Sequence, residues 1–332
     1  MKKFFLIVLT MIMVFGLTAI SAGKNYQMIV SLVDPLDSEQ GIAAQEFKRL
    51  IEERTDGQIE VKLFPNEQLG KEVDVITAMQ MGTIDMGIFG TSIYEQAAPK
   101  YNIWSAYYIF NSPEEVMYVL NGVIGEEMNQ AMIENKDIRI IGYGLRGPRN
   151  LTTNKPVKKP SDIKGLDIRV PLQPIYVESW KALGAQPQAI AYGELYTAIK
   201  QGIVDAQENP LANIFASSLY EVNDYVNVTE HQRAFYTYAL SQKFFNQLTP
   251  ELQDIVLRTG KDITKFHAEL QQNNEAKTRK ELEERGMQFI EVDQDAFKKA
   301  LSHIPDKFAD QWVPNLYQRI QDEVAEFYEQ QN

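Results

Sequence analysis

Three arginines carry the chemistry this sequence offers. Arg146 and Arg149 sit in a Gly/Pro-rich turn, and Arg169 ends a short apolar segment just before Pro171. A guanidinium is planar, charged and forked, so it meets a carboxylate through two parallel hydrogen bonds. In I-R-V-P the cation falls at the carboxyl end of a predicted strand, where ligands of open α/β sheets bind. A local set of arginines in an otherwise acidic chain reads as an anion site. Arg146 taken alone reads more simply as a surface cation or a salt bridge joining domains.

Other chemistries fail on composition or context. Cysteine is absent, which removes thiol catalysis, disulfides, thiolate metal sites and an N-terminal lipid anchor. His231, His267 and His303 lie far apart without metal-ligand spacing, so neither a metal nor a cofactor is expected. Residues 142–147 match G-x-G-x-x-G, but a dinucleotide site needs a helix opening there. Pro148, Arg149, Asn150 and a Lys/Pro-rich stretch follow instead. The P-loop, H-E-x-x-H and G-x-S-x-G patterns do not occur. Glu126 and Glu127, like Glu281, Glu283 and Glu284, lie in charge-rich helical surroundings and read as solvated faces. His267 reads as a surface or packing residue. No nucleophile, base and oxyanion hole assemble, so the chain reads as a binding protein and not an enzyme.

The 332 residues are 44% hydrophobic and 23% charged, ordinary values for a soluble chain of about two domains. A net charge of −12 argues against a nucleic-acid partner. Lys2 and Lys3, an apolar run over 4–19 and small residues up to Ala22 describe a secretory signal peptide cut after Ala22. The run is shorter than the ~20 residues that span a bilayer, which disfavours a permanent anchor helix. The mature chain is expected to be exported, soluble and monomeric.

The elements that would position the arginines alternate. Strands are expected at 27–32, 59–63, 86–89, 138–143, 167–170 and 186–189. Helices are expected at 38–54, 71–81, 113–135, 174–183, 193–201 and, unusually long, 250–285. Such alternation means α/β layers. Residues 144–160, rich in Gly, Pro, Asn, Thr and Lys, read as a connector without a core of its own. Residues 77–86 and 197–206 echo each other, with Thr, Ala, Gly and Asp in register. Each copy reads as a helix ended by a left-handed Gly, then an Asp and entry into a strand. Two copies flanking the connector suggest matched halves forming a clamp.

Four segments carry a family resemblance: F-P-N-E-Q-L-G at 64–70, M-G-T-I-D at 81–85, K-G-L-D-I-R-V-P at 164–171 and V-D-A-Q-E-N-P at 204–210. With these, the chain resembles the solute-binding proteins of tripartite ATP-independent periplasmic (TRAP) transporters, the dicarboxylate/sialate-type family, over essentially its whole mature length. The resemblance implies a two-domain periplasmic-binding-protein clamp with hinge strands and a long domain-spanning helix. It places residues 23–146 plus 235–274 in domain I and 147–234 plus 275–332 in domain II. It implies that Arg169 binds the substrate carboxylate, that Arg149 assists, and that Asn209, Tyr192, Val33, Asp34 and Glu72 line the site. Gln207, Gly90 and Thr91 are counted with them. Sialate binders carry an acid at the position of Gly90 and an amide at that of Leu172, which speaks against sialic acid. The implied partners are a small organic acid and membrane-embedded small and large permease subunits. Asp34 and Glu72 would repel a second ligand carboxylate, so a sugar acid such as a hexuronate or aldonate is expected. A C4-dicarboxylate using Arg146 or Arg149, or a sensing role at a signalling receptor, are the alternatives.

Overall fold

Alternating burial of Met28, Val30 and Leu32 makes β1 (Tyr26–Leu32) the centre of a parallel trio with β2 (Ile59–Phe64) and β3 (Met86–Phe89). The computed structural model describes residues 25–331, and the expected signal peptide at 1–22 lies outside the described residues. The helix Glu39–Arg54 covers this trio with Ala43, Phe47 and Ile51. Its N-cap Ser38 accepts from the Gly41 N–H at 3.0 Å, satisfying one of the donors a helix start leaves free.

Two long strands carry the sheet onward: β4 (Ile138–Thr153) and β8 (Tyr225–Ser241). They pair antiparallel from Ile138↔Ser241 to Thr153↔Tyr225, with register shifts between Ile140 and Gly142, Leu145 and Pro148, and Arg149 and Leu151. At one end β8 pairs with β3; at the other, β4 pairs with β7 (Gln207–Asn209) and β8 with β9 (Gln288–Glu291). Next to β7 lies the small parallel sheet of β5 (Asp167–Val170) and β6 (Gln186–Ala189), tied on by the Arg169 N–H to the Ala206 carbonyl at 2.8 Å. The result is a two-domain α/β clamp in which β4 and β8 run through both lobes. Bulges bend and twist such a ribbon, as a hinge requires. Among the described residues no helix is long and apolar enough to cross a membrane.

The long helix Pro250–Glu284 is capped by Thr249. Its Val256 and Ile263 join the core of the first lobe, and its Leu282 joins the core of the second. It lies directly on β4, which explains the glycines there. A Cβ at Gly142 would overlap the Gly260 carbonyl, one at Gly144 the His267 ring and one at Gly147 the Glu275 carboxylate. The G-x-G-x-x-G pattern therefore serves a close strand–helix approach. This corrects the reading of 144–160 as a connector without a core: it is strand as far as Thr153, and Leu151 and Val157 are fully buried. The punctuation residues were there to let a helix in.

The internal echo is real in three dimensions. Gly82 and Gly202 both take left-handed φ, at 80° and 69°. In each copy the next N–H closes back on the helix, Thr83 to the Ala78 carbonyl and Ile203 to the Ala198 carbonyl. Each Asp N–H then reaches a strand of its own lobe, Asp85 to Ile29 and Asp205 to Asp167. Elsewhere the expected helix over 113–135 is two helices, Pro113–Leu120 and Val123–Lys136, broken at Asn121 and Gly122. The second copy's helix spans Leu195–Lys200 behind a 3-10 turn at Tyr192–Glu194.

Candidate functional site

The carboxyl ends of β1, β3, β5 and β7 converge on one cleft, and the middles of β4 and β8 form its floor. The cleft is partly open to solvent. From the first lobe it is lined by Val33, Asp34, Glu72, Gly90 and Thr91, from the second by Arg169, Tyr192, Asn209 and Asn213, and from the hinge strands by Arg146, Arg149 and Tyr236. Gln207 does not line it. Its side chain lies behind the wall, donating to Thr152 Oγ1 at 2.8 Å and accepting from Asn209 Nδ2 at 2.6 Å.

The three arginines differ in what they have left to offer. Arg149 is buried, and its guanidinium grips the Glu208 carboxylate, with Nη2 donating to Oε1 at 2.6 Å and to the Glu208 carbonyl at 2.7 Å. His231 Nε2 meets the same carboxylate at 2.9 Å while Thr229 Oγ1 lies 2.8 Å from its Nδ1. Burial opposes the charge on Glu208, but Arg149 and then His231 outweigh it and hold the carboxyl at about 2. Burial pushes the His231 pKa down, against the opposing pull of Glu208. Arg149 is thus already neutralised, so its first task is holding β7 against β4.

Arg169 is also buried, yet its one side-chain hydrogen bond among the described residues is from Nε to the Ile190 carbonyl at 2.8 Å. Both terminal nitrogens remain without a protein acceptor among the described residues. Burial, with Arg149 nearby adding to it, pulls its pKa down to about 10; Glu208 opposes. A charged fork anchored through one nitrogen and open at the other two is prepared for a carboxylate. Arg146 is no surface cation and makes no ion pair among the described residues. It stacks over the Tyr236 ring at 4.3 Å and gives Nη2 to Asn213 Oδ1 at 2.6 Å.

Asp34 and Glu72 both face the cleft. Gln40 Oε1 accepts the N–H groups of Val33 and Asp34 at 3.0 and 2.9 Å and so fixes the turn after β1. The Asp34 carboxylate accepts from Tyr236 Oη at 2.6 Å and from Asn213 Nδ2 at 3.0 and 3.2 Å. Glu72 accepts from Ser92 Oγ at 2.7 Å, and burial raises its pKa. Tyr192 Oη pairs with Ser217 Oγ at 2.8 Å, and Thr91 Oγ1 lies 2.9 Å from Ser105 Oγ.

Asp34 belongs to the first lobe and Asn213 to the second, so their bond crosses the cleft. Lys71 Nζ to Glu194 Oε1 at 2.7 Å and Ser105 Oγ to Gln173 Oε1 cross it too. The lobes are closed on each other. Asn213, Tyr236, Gln173 and Tyr176 were not singled out from the sequence. Asn213 had a usable signal, one helical turn after the Pro210 of Q-E-N-P, whereas Tyr236 sits in a strand the periodicity did not separate.

A cleft between two lobes, lined by a buried arginine whose terminal nitrogens have no protein acceptor among the described residues, suits a small anionic solute. Residues 30–311 match the bacterial extracellular solute-binding proteins of family 7, and the chain belongs to that family. It is 39% identical over 259 residues to a solute-binding protein of Roseobacter denitrificans, covering 78% of this chain and 79% of that one. The 2,3-diketo-L-gulonate-binding periplasmic protein of Escherichia coli K12 is 29% identical, covering 80% and 81%. Among solved structures, a TRAP periplasmic solute-binding protein of Roseobacter denitrificans with bound L-galactonate superposes with a TM-score of 0.84 at 34% identity, covering 91% of this chain and 99% of that one.

Proposed function

We propose that this protein is the exported subunit of a TRAP transporter that closes on a sugar acid, an aldonate or hexuronate, and delivers it to the small and large membrane-embedded permease subunits. The observation that carries this reading is Arg169, buried at a strand end with its two terminal nitrogens unpaired among the described residues. A ligand carboxylate supplies the missing counter-charge. Asp34 and Glu72 stand in the same cleft as acceptors for hydroxyl donors, with Asn209 and Tyr192 on the facing wall. The relatives named for 2,3-diketo-L-gulonate and solved with L-galactonate support a polyhydroxy monoacid. The moving bodies in this proposal are residues 23–146 with 235–274 and residues 147–234 with 275–332, except that the helix Leu316–Glu329 packs on the first body through Arg319 to Glu127 and Tyr328 to Glu115. After cleavage behind Ala22 the mature protein acts as a periplasmic monomer.

A clamp that closes on its ligand must be more open without it. Small-angle scattering is expected to show a larger radius of gyration for the free protein and a decrease on saturation with L-galactonate. An unchanged profile at saturation would mean a rigid pocket.

A further inference from the structure

We propose that Arg146 is the specificity-determining residue of the cleft, its uncommitted donors reading a hydroxyl or carbonyl oxygen on the sugar chain beyond the carboxylate. This rests on the sugar-acid reading above. Among the described residues Arg146 Nε is buried without a partner and Nη1 has no acceptor; Nη2 alone is engaged, by Asn213. Buried polar groups in folded proteins are nearly all hydrogen-bonded, and a charged N–H left bare is costly. Arg149, three residues away on the same strand, spends its donors on Glu208. Arg146 has no such partner, although Asp34 and Glu72 line the same cleft.

Those acids are held by neutral donors instead, Asp34 by Tyr236 and Asn213, Glu72 by Ser92. Nor does a side chain compete for Nη1 at Gly90, where even a Cβ would come to 3.4 Å of it. Stacking on Tyr236 and the bond to Asn213 fix the guanidinium in place before a ligand arrives. A cation beside two acids is matched by a group that accepts from one and donates to the others. A hydroxyl does both. A second carboxylate could only accept, and would meet Asp34 and Glu72 as well as Arg146.

The test is a cycle of calorimetric titrations with L-galactonate and its monodeoxy analogues on wild type, Arg146→Leu and Arg146→Lys. Losing a hydrogen bond to a charged group costs about 10- to 100-fold in affinity. In wild type one deoxy position is expected to show that penalty. In Arg146→Leu the same penalty should shrink to within about twofold, because the partner of the missing oxygen is gone. General loss of anion attraction affects all these acids alike and cancels in the ratio. If Arg146→Leu does not fold, Arg146→Lys, which keeps the charge but moves the donor, should shrink the same penalty. Identical deoxy penalties in wild type and in the folded variants would overturn the proposal and leave Arg146 a strut for Asn213 and Tyr236. A wild type that binds no sugar acid would instead overturn the function it rests on.

Discussion

Arg169→Lys is expected to lose about 30-fold or more in affinity for the captured acid, although the charge is kept. Truncating one partner of a desolvated, hydrogen-bonded charge pair costs roughly 2–5 kcal/mol, and each ~1.4 kcal/mol is a factor of ten. The substitution acts through geometry. In Arg169 the Nε is spent on the Ile190 carbonyl, which orients the fork and leaves two parallel nitrogens for the ligand. A lysine has a single nitrogen and cannot both hold that carbonyl and grip a carboxylate with two parallel bonds. Calorimetry on the folded variant checks this, and near wild-type affinity would remove Arg169 from the site.

Glu208→Gln is expected to lower stability by about 3–5 kcal/mol, because breaking a buried pair strands the remaining charge. For a chain of this size that corresponds to a melting temperature lower by roughly 5–10 °C. The stranded charge is Arg149, buried beneath the cleft with no other acidic partner at ion-pair distance among the described residues. The sign of the pH dependence follows from the carboxyl, held at about 2 against an ordinary value near ~4.3. Its stabilisation is complete above about pH 5 and fades as pH falls through that range toward 2. His231, pushed down by burial, adds to the loss below its ordinary range, in both proteins. The gap between wild type and Glu208→Gln should therefore be full at pH 7 and narrow below about pH 4. Thermal melts of both proteins across that range decide it. Equal melting temperatures at pH 7 would mean that the pair does not stabilise the fold.

Much of this arrangement was legible in the sequence because it is local. Strand ends marked by Pro171 and by the Asp85 and Asp205 turns lie where expected, and the capped long helix ends at Glu284, one residue short of the expected end. The Lys71–Met81 helix was expected to begin one residue early, at what is its N-cap. What escaped was set by contacts far apart in the chain. Strand β8 contains Thr229, Glu230, His231, Gln232 and Arg233, a polar interruption that hides its period, and those residues are spoken for by β4, β7 and the Trp104 carbonyl. Arg149 and Glu208 are 59 residues apart, so nothing near Arg149 announces that its charge is already taken. Arg146 reads locally as a surface cation or a salt bridge joining domains for the same reason: Asn213 and Tyr236, which hold it in the cleft, come from elements remote in sequence. Glycines 142, 144 and 147 advertised a loop or a nucleotide turn because their neighbour, the long helix, begins about a hundred residues later.

The cleft is expected to take a sugar monoacid. The most direct test is a thermal-shift comparison of L-galactonate and D-glucuronate with succinate, malate and fumarate at equal concentration on the wild-type protein. Two like charges ~4 Å apart repel by roughly 4 kcal/mol at an effective dielectric of 20, close to a thousandfold in affinity. A second ligand carboxylate near Asp34 would meet that repulsion, whereas hydroxyls would donate to it. At least one sugar acid is therefore expected to raise the melting temperature well above any of the three C4-dicarboxylates. A C4-dicarboxylate that stabilised the protein more than every sugar acid would contradict the account, and would make Arg146 the partner of its second carboxylate.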